Sequence, residues 1–300
     1  MITTRFTDMV GCRAPIQQAP IGQYARTAVL PRAVARAGGH GIVAAIDTPR
    51  AELEAALDEL DGDAGGAWGV NVVVPLTPPE CVQLAAERAP FVDFHQGDPS
   101  PALVEAVHRN GGIASWQVGT AEEARAAEQA GCDMIVAQGI EGGAFVRGRA
   151  GTMALLQEVL DSVSIPVLAA GGIGTARGVA AALAAGAAGV RVGTRFLAAT
   201  EAGAEAGYVE ALTAARAEDT VLTDRFSPPD IPIRARALRA GVDIGEPLLA
   251  GESTGAVHGV QPAAEIVHEL VDGAEALLEQ AARLVAPATD ARRAAAKLAR

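Results

Sequence analysis

Short apolar runs that end in glycine or a polar residue alternate with alanine-rich helical stretches along most of this chain. Eight such runs have the length and composition of buried strands, and a helical stretch follows each of them. This alternation is typical of βα units that build a parallel sheet. We predict strands at 16–20, 41–46, 68–74, 91–97, 113–119, 134–139, 166–171 and 189–194. We predict helices at 29–37, 51–60, 79–89, 101–109, 121–130, 152–161, 175–185 and 198–215.

The helix boundaries carry signals of their own. Thr120 precedes an Ala-Glu-Glu sequence and suits an N-cap, whereas Gly131 and Gly186 follow helix ends, where a left-handed cap is favourable. Eight strands that are each followed by a helix predict an α/β fold of the closed (β/α)8 TIM barrel type, with an open doubly wound sheet as the alternative. The regular spacing of the strands favours the barrel.

The alternation stops near residue 215. We therefore predict a barrel at 1–215, a C-terminal helical appendage at 216–286 that packs on the barrel, and a tail at 287–300. The appendage has too few strand-like runs to bury a core of its own. Its helix at 263–284 has an apolar face, which leaves open whether that face covers the barrel or a second subunit in a homodimer.

Charge and hydropathy exclude several classes of partner. The chain carries 24 basic and 36 acidic residues, a formal net charge of -12, and no basic stripe, so we expect no nucleic-acid partner and no membrane partner. No apolar stretch is long enough for a membrane span, and the first residues lack an apolar signal core, which favours a cytoplasmic location. The cysteines form no CxxC pair, and we expect no metal.

The lysine content excludes several mechanisms. The only lysine is Lys297, in a polar stretch rich in alanine and arginine. Schiff-base aldolases, pyridoxal-phosphate enzymes and P-loop nucleotide hydrolases each need a positioned lysine. These three classes therefore do not fit the sequence.

Two glycine-rich turns follow the last two predicted strands. The first contains Gly171 and Gly172, and the second contains Gly193 and Thr194. In a TIM barrel these two loops lie side by side, and their backbone N–H groups, with the start of a following short helix, bind anions without a lysine. The pair of turns predicts a phosphate site.

Together with other motifs, these turns resemble the nitronate monooxygenase family, formerly called 2-nitropropane dioxygenases, which includes flavin-dependent enoyl-ACP reductases. The similarity runs along nearly the whole chain. The segments that carry it are Pro15-Ile16-Gln17-Gln18-Ala19-Pro20-Ile21, Gly38-Gly39-His40-Gly41, Gly69-Val70-Asn71, Ala137-Gln138-Gly139-Ile140-Glu141-Gly142-Gly143 and the two phosphate turns.

The resemblance implies that the protein binds FMN and that the predicted phosphate site holds the FMN phosphate. The backbone around Ala19, Pro20 and Ile21 would then face the isoalloxazine ring, and the amides of Asn71 and Gln138 would bond its polar edge without adding charge. The remaining cofactor contacts implied in this way come from Gln117, Gly139, Gly142, Gly143, Gly171, Gly172, Gly193 and Thr194.

One position departs from the family pattern. The family usually has a histidine in the loop after strand six, and Phe145 occupies that position here. Because phenylalanine cannot transfer a proton, the acid or base has moved elsewhere, the chemistry needs none, or the family reaction is lost. His95, at the end of strand four, is the first candidate for a group that titrates near neutral pH. Glu141, which we expect to support its loop, is the second.

The other titratable and cationic side chains fit structural roles better. His40 precedes strand two on the face of the barrel opposite the active site. The histidines at 108, 258 and 268 lie on a helix or in the appendage. Arg147 and Arg149 suit either a grip on an acidic substrate or dinucleotide phosphate, or a solvated loop.

These observations predict an FMN-dependent oxidoreductase that acts on a small organic substrate. The two reactions in question are oxidation of a nitronate with O2 and reduction with NAD(P)H as electron donor. No GxGxxG sequence follows a strand near the start of the chain, yet transient binding of NAD(P)H over the flavin needs none. Two alternatives stay open, a flavin-binding barrel with a binding or regulatory role and a flavin-free, phosphate-binding barrel enzyme.

Overall fold

The computed structural model of the chain describes residues 2–227 and 230–298, with side chains described as far as residue 284. The strands within these residues are β1 (Ile16–Gln18), β2 (His40–Ala44), β3 (Ala67–Val73), β4 (Phe91–His95), β5 (Ile113–Val118), β6 (Met134–Gln138), β7 (Ala144–Phe145), β8 (Val167–Ala170), β9 (Gly189–Val192), β10 (Thr220–Thr223) and β11 (Ala235–Leu238).

The helices surround the barrel and continue into the C-terminal part. They are α1 (Arg5–Val10), α2 (Val29–Ala37), α3 (Arg50–Asp63), α4 (Pro79–Arg88), α5 (Pro101–His108), α6 (Ala121–Gln129), α7 (Thr152–Leu160), α8 (Ala176–Ala184), α9 (Thr194–Leu197), α10 (Ala206–Ala214), α11 (Arg239–Ile244) and α12 (Ala263–Leu298). Short 3-10 turns occupy Gly22–Ala25, Thr200–Ala202, Ala217–Asp219 and Glu252–Ala256.

Strands β1 to β6, β8 and β9 form a closed parallel barrel. The closure is made by β1, which pairs with β2 on one side and with β9 on the other, where Gln17 is in register with Arg191. Each of the eight predicted strands has a counterpart in this barrel. The TIM barrel prediction is therefore confirmed, and the open doubly wound sheet is excluded.

Helix positions agree with the predictions except at the end of the barrel. The Thr120 side chain accepts a hydrogen bond from Glu123 N at 3.1 Å and caps α6 as expected. The single helix predicted at 198–215 is wrong, because the chain forms α9, a 3-10 turn and α10 instead. Gly203, which has a φ of 63°, adopts a left-handed conformation there and ends the 3-10 turn.

A small antiparallel sheet that the sequence analysis missed joins the appendage to the barrel. Its strand order is β10-β11-β7, and Ala235 of β11 is in register with Phe145 of β7. Because β7 belongs to the loop after β6, this sheet connects that loop to chain segments about 90 residues later, a separation that local sequence patterns do not encode.

Helix α12 packs on the outside of the barrel against α2 and α8. Its residues Ile266, Leu270 and Ala274 are fully buried, and Gly273 approaches Ala176 so closely that a Cβ added to it would lie 2.6 Å from the Cβ of that alanine. The apolar face of this helix therefore covers the barrel. A homodimer stays a prediction. In the described part of the chain, no helix combines the length and apolarity that a membrane crossing needs.

Candidate functional site

A cavity of about 430 Å³ opens at the C-terminal end of the barrel strands. This is the position at which TIM barrels bind their ligands, and the volume suits a small organic molecule. The predicted site residues that line it are Ala19, Pro20, Ile21, Asn71, His95, Gln117, Gln138, Gly142, Gly143, Phe145, Gly171, Gly172, Gly193 and Thr194. The barrel therefore brings together positions that are spread over most of the chain.

Gly139 and Glu141 do not line the cavity. A Cβ added to Gly139 would lie 2.1 Å from Thr152 Oγ1, so this glycine allows the loop to pack on the start of α7. The Glu141 carboxylate accepts hydrogen bonds from the backbone N and the hydroxyl of Thr152, each at 2.9 Å. Both residues thus hold the loop after β6 in place.

The two glycine-rich turns form one wall of the cavity. Gly171 and Gly172 have φ values of 99° and 69°, which favour glycine. No described residue accepts a backbone hydrogen bond from Gly171, Gly172 or Gly193. A Cβ added to Gly193 would lie 3.3 Å from the Cβ of Ala19. The turns therefore leave N–H groups without a protein partner at a cavity wall too tight for larger side chains, which suits an anion.

A segment of the appendage closes the cavity beside these turns. Gly251 N donates to the Thr194 hydroxyl at 2.9 Å, and Glu252 N donates to the carbonyl of Glu141 at 2.9 Å. Gly143 lies so close that a Cβ added to it would be 2.5 Å from Gly251 N. Cavity-lining residues that were not predicted include Tyr208 of α10 and, in the appendage, Pro247, Leu249 and Ser253. No motif marks them, because only the fold brings them to the barrel mouth.

A buried ion pair lies at the floor of the cavity, inside the barrel, and its Arg191 lines the cavity. Arg191 Nη1 of β9 is 2.8 Å from Asp93 Oδ2 of β4, and both side chains are almost completely buried. Asp93 also accepts hydrogen bonds from Ser115 Oγ at 2.7 Å and from Asn71 Nδ2 at 2.6 Å. The sequence analysis missed this pair, although a charged residue at the centre of an apolar strand is the signal that marks each partner.

The Arg191 guanidinium also binds two glutamines. Its Nε donates to Gln17 Oε1 at 2.6 Å, and its Nη1 donates to Gln117 Oε1 at 2.7 Å. Since a guanidinium only donates hydrogen bonds, it determines which end of each glutamine amide faces it. The amide nitrogens therefore point away, Gln17 Nε2 towards His40 Nδ1 at 2.9 Å and Gln117 Nε2 towards His95 Nε2 at 3.0 Å.

Two amide oxygens remain available to a ligand. Asn71 Nδ2 donates to the backbone carbonyl of Asp93 at 3.2 Å and to its carboxylate, which leaves Asn71 Oδ1 as an acceptor in the cavity wall. Gln138 Oε1 is buried and has no hydrogen-bond partner within the described residues. Because a buried polar atom without a partner is costly, these oxygens indicate a ligand that donates hydrogen bonds.

His95 is a neutral imidazole in this environment. The pKa of His95 is lowered from 6.5 to about 3, mainly by burial, with Asp93 acting in the opposite direction and Arg191 adding to the decrease. The expectation that His95 titrates near neutral pH is therefore wrong. The side chain can still donate or accept a hydrogen bond in the cavity.

The other histidines lie outside the cavity. His40 is buried among aromatic rings, 4.6 Å from the Phe91 ring in an edge-on contact, and burial lowers its pKa to about 3. His108 Nε2 is 2.9 Å from an Asp133 carboxylate oxygen on the surface. No group of three or more histidine, cysteine or acidic side chains that could hold a metal occurs within the residues described.

Two arginines near the barrel mouth differ in their surroundings. Arg147 is bound to Glu123 and Asp98, at 2.7 and 3.0 Å, and does not line the cavity. Arg26 does line the cavity, and no acidic side chain in the described part of the chain forms an ion pair with it. Arg26 is therefore a cation in the cavity wall that is available to an anionic group of a ligand.

The family model described as nitronate monooxygenase matches residues 79–242. A nitronate monooxygenase of Pseudomonas aeruginosa is 34% identical over 75% of this chain and 78% of its own length. A (3aS,4S,5R,7aS)-5-hydroxy-7a-methyl-1-oxo-octahydro-1H-indene-4-carboxyl-CoA dehydrogenase of Rhodococcus jostii is 36% identical over 65% of this chain. The matched region covers 55% of the length of that dehydrogenase.

Among solved structures, FabK from Thermotoga maritima superimposes with a TM-score of 0.85 and 28% sequence identity. The superposition covers 95% of this chain and 100% of FabK. The similarity therefore includes the appendage as well as the barrel.

Proposed function

The chain belongs to the nitronate monooxygenase family, and on that premise we propose that it is an FMN-dependent oxidoreductase acting on a small organic substrate. The observation that carries the proposal is the pair of glycine turns, whose unpaired N–H groups lie in the wall of a cavity that also contains free amide oxygens. This donor and acceptor set matches a phosphate joined to a ring with a polar edge.

The residues present fit FMN at both ends. The backbone N–H groups of Gly171, Gly172 and Gly193 would hold the phosphate. Asn71 Oδ1 and Gln138 Oε1 are acceptors, which the N–H of the flavin pyrimidine ring needs. When bound, FMN supplies the transfer of hydride or single electrons.

The protein side chains supply binding and exclusion of water more than proton transfer. Phe145, Leu249 and Tyr208 line the cavity, and the Tyr208 hydroxyl is occupied by the Leu249 carbonyl at 2.7 Å. His95 is a weak base, because burial lowers its pKa to about 3. Oxidation of a nitronate fits such a site, since a nitronate is already deprotonated and needs no protein base.

Reduction with NAD(P)H is the second candidate, and Arg26 is the observation that favours it. A guanidinium without an acidic partner at a cavity wall suits the phosphate of a dinucleotide or of a CoA thioester. The same charge also suits a nitronate, so Arg26 alone does not separate the two reactions.

The absorption spectrum of the purified protein tests the proposal, followed by release of the chromophore and its mass. We expect a yellow protein that releases FMN. Anaerobic addition of propyl-2-nitronate, NADH or NADPH then identifies the electron donor, because only a true donor bleaches the flavin. A yellow protein without turnover would favour a binding role. A colourless protein that does not take up FMN would contradict the proposal and favour a flavin-free, phosphate-binding barrel enzyme.

A further inference from the structure

We propose that Arg191 and Gln117 are positioning residues that hold His95 in its Nδ1–H tautomer. His95 then presents a fixed N–H donor to an acceptor oxygen of the substrate, such as a carbonyl, nitro or nitronate oxygen. The tautomer follows from the geometry of the chain alone, whereas the role towards substrate rests on the proposed function.

The first step is the orientation of Gln117. Its amide oxygen accepts a hydrogen bond from Arg191 Nη1 at 2.7 Å. Arg191 has no lone pair to offer in return, so the opposite orientation of the amide would place two donors against each other. Arg191 is itself held by Asp93 at 2.8 Å and by Gln17 at 2.6 Å. The Gln117 amide therefore has one orientation.

The second step is the tautomer of His95. With its oxygen committed, Gln117 directs its amide nitrogen at His95 Nε2, at 3.0 Å. The amide nitrogen donates, and His95 Nε2 must therefore carry a lone pair. Gln96 Nε2 lies 3.2 Å from the same ring atom and can also donate a hydrogen bond to it. In a neutral imidazole the single proton is then on Nδ1.

The third step concerns the group that accepts a hydrogen bond from His95 Nδ1–H. His95 lines the cavity, and no residue that the structure describes forms a hydrogen bond with its Nδ1. Because His95 lies in the cavity wall, a ligand oxygen is the natural acceptor for this N–H group, which has no partner among the described residues. Asn71 Oδ1 and Gln138 Oε1 offer only acceptors. His95 Nδ1–H is therefore a donor in the same wall as Arg191, whose Nη2 is buried without a partner, and the two together favour an oxygen on the substrate.

The chain contains a matched pair for the test. At the other end of Arg191, Gln17 accepts from Nε at 2.6 Å and approaches His40 Nδ1 at 2.9 Å. Gln17→Glu and Gln117→Glu thus place the same negative charge beside the same guanidinium. A carboxylate only accepts hydrogen bonds. Each variant therefore requires the facing nitrogen of the neighbouring histidine to donate instead of accept, and leaves the other histidine unaffected.

The experiment is 15N NMR of the histidine rings in the purified holoprotein, with the His95 signals identified by their absence in His95→Asn. In the wild type we expect a protonated Nδ1 and an unprotonated Nε2 on His95. Gln117→Glu should move the proton to Nε2, and Gln17→Glu should leave His95 unchanged. If Gln117→Glu does not fold, the wild-type spectrum still shows which ring nitrogen of His95 carries the proton. A proton on Nε2 in the wild type, or a tautomer that Gln117→Glu leaves unchanged, would overturn the positioning role.

The donor role is tested with 2-cyclohexenone and 2-nitropropane, which carry an acceptor oxygen, against 1-methylcyclohexene, which carries none. The Nδ1–H resonance of His95 should move downfield with at least one of the first two and stay in place with the third. No movement with either oxygen compound up to its solubility limit would overturn the donor role. Because the NMR measurement needs no turnover, a protein that binds no FMN would refute the proposed function while leaving the tautomer decided.

Discussion

Arg191 and Asp93 face each other across the barrel interior, with 2.8 Å between Nη1 and Oδ2 and with side chains that are 2% and 0% exposed. Both partners are further hydrogen-bonded, Arg191 to two glutamines and Asp93 to Ser115 and Asn71. A buried pair of this kind contributes little net stability, but loss of one partner leaves an uncompensated charge.

Removal of one charge should therefore destabilise the barrel more than removal of both. We expect Arg191→Met to lower the free energy of unfolding by about 3–5 kcal/mol. The double variant Arg191→Met/Asp93→Asn should recover a large part of this loss, because no carboxylate is left unpaired. Urea unfolding, monitored by circular dichroism, measures the free energy of unfolding of both variants. A double variant that is less stable than Arg191→Met would show that the two charges do not compensate each other.

A negative charge in the first glycine turn should weaken FMN binding without unfolding the protein. Gly172→Asp places a carboxylate in the proposed phosphate site, and we expect the variant to lose most of its FMN. Gly172→Asn is the matched control, because it meets the same φ of 69° and the same contact of an added Cβ with Glu141 Cβ at 3.1 Å, but carries no charge. Chromophore content per protein measures the difference. Equal FMN content in both variants would place the phosphate elsewhere.

The buried histidines should make the protein less stable in acid. Burial lowers the pKa of both His40 and His95 from 6.5 to about 3, so the unfolded chain binds protons that the folded chain does not. Stability is therefore fully present above pH 6.5 and falls towards pH 3, by about 1.4 kcal/mol per pH unit for each histidine. Urea unfolding between pH 7 and 4 should show a shallower slope in His40→Gln and in His95→Asn than in the wild type.

Glu141 should affect the loop after β6 without affecting the chemical step. Glu141→Ala leaves the Thr152 N–H without its acceptor, while the Thr152 hydroxyl can still donate to the Gly171 carbonyl at 2.9 Å, and we expect a loss of about 1–3 kcal/mol in the free energy of unfolding. The kcat per bound flavin should stay near the wild-type value, because the carboxylate does not line the cavity. Thr152→Val, which removes the same side-chain contact from the other side, is the control. A kcat that falls far more in Glu141→Ala than in Thr152→Val would indicate a catalytic role.

The barrel could be predicted from sequence because its signals are local. Each strand is a short apolar run, and the caps at Thr120 and Thr175 mark helix starts within three residues of their partners. The glycine turns and His95 followed from the rule that TIM barrels bind at the C-terminal ends of their strands. The other site residues were implied by the resemblance to the nitronate monooxygenase family, and most of the predicted residues line one cavity.

The ion pair at the floor of the cavity could not be predicted in the same way. Arg191 and Asp93 are 98 positions apart, and only closure of the barrel brings them together. The same reason applies to the pKa of His95, which depends on burial by distant strands. The sheet of β7, β10 and β11 was missed because a two-residue strand in a glycine-rich loop has no periodicity to detect.

The attachment of β7 to β11 gives the site a fixed order of assembly during synthesis. The ribosome completes β1 to β9 before it produces β11 and Gly251, yet Phe145 and Thr194 take their neighbours from these later segments. Since domains fold as the chain emerges, the nascent barrel has an unfinished rim until Gly251 has been made. We therefore expect the proposed cofactor to reach its final position late in the maturation of this protein.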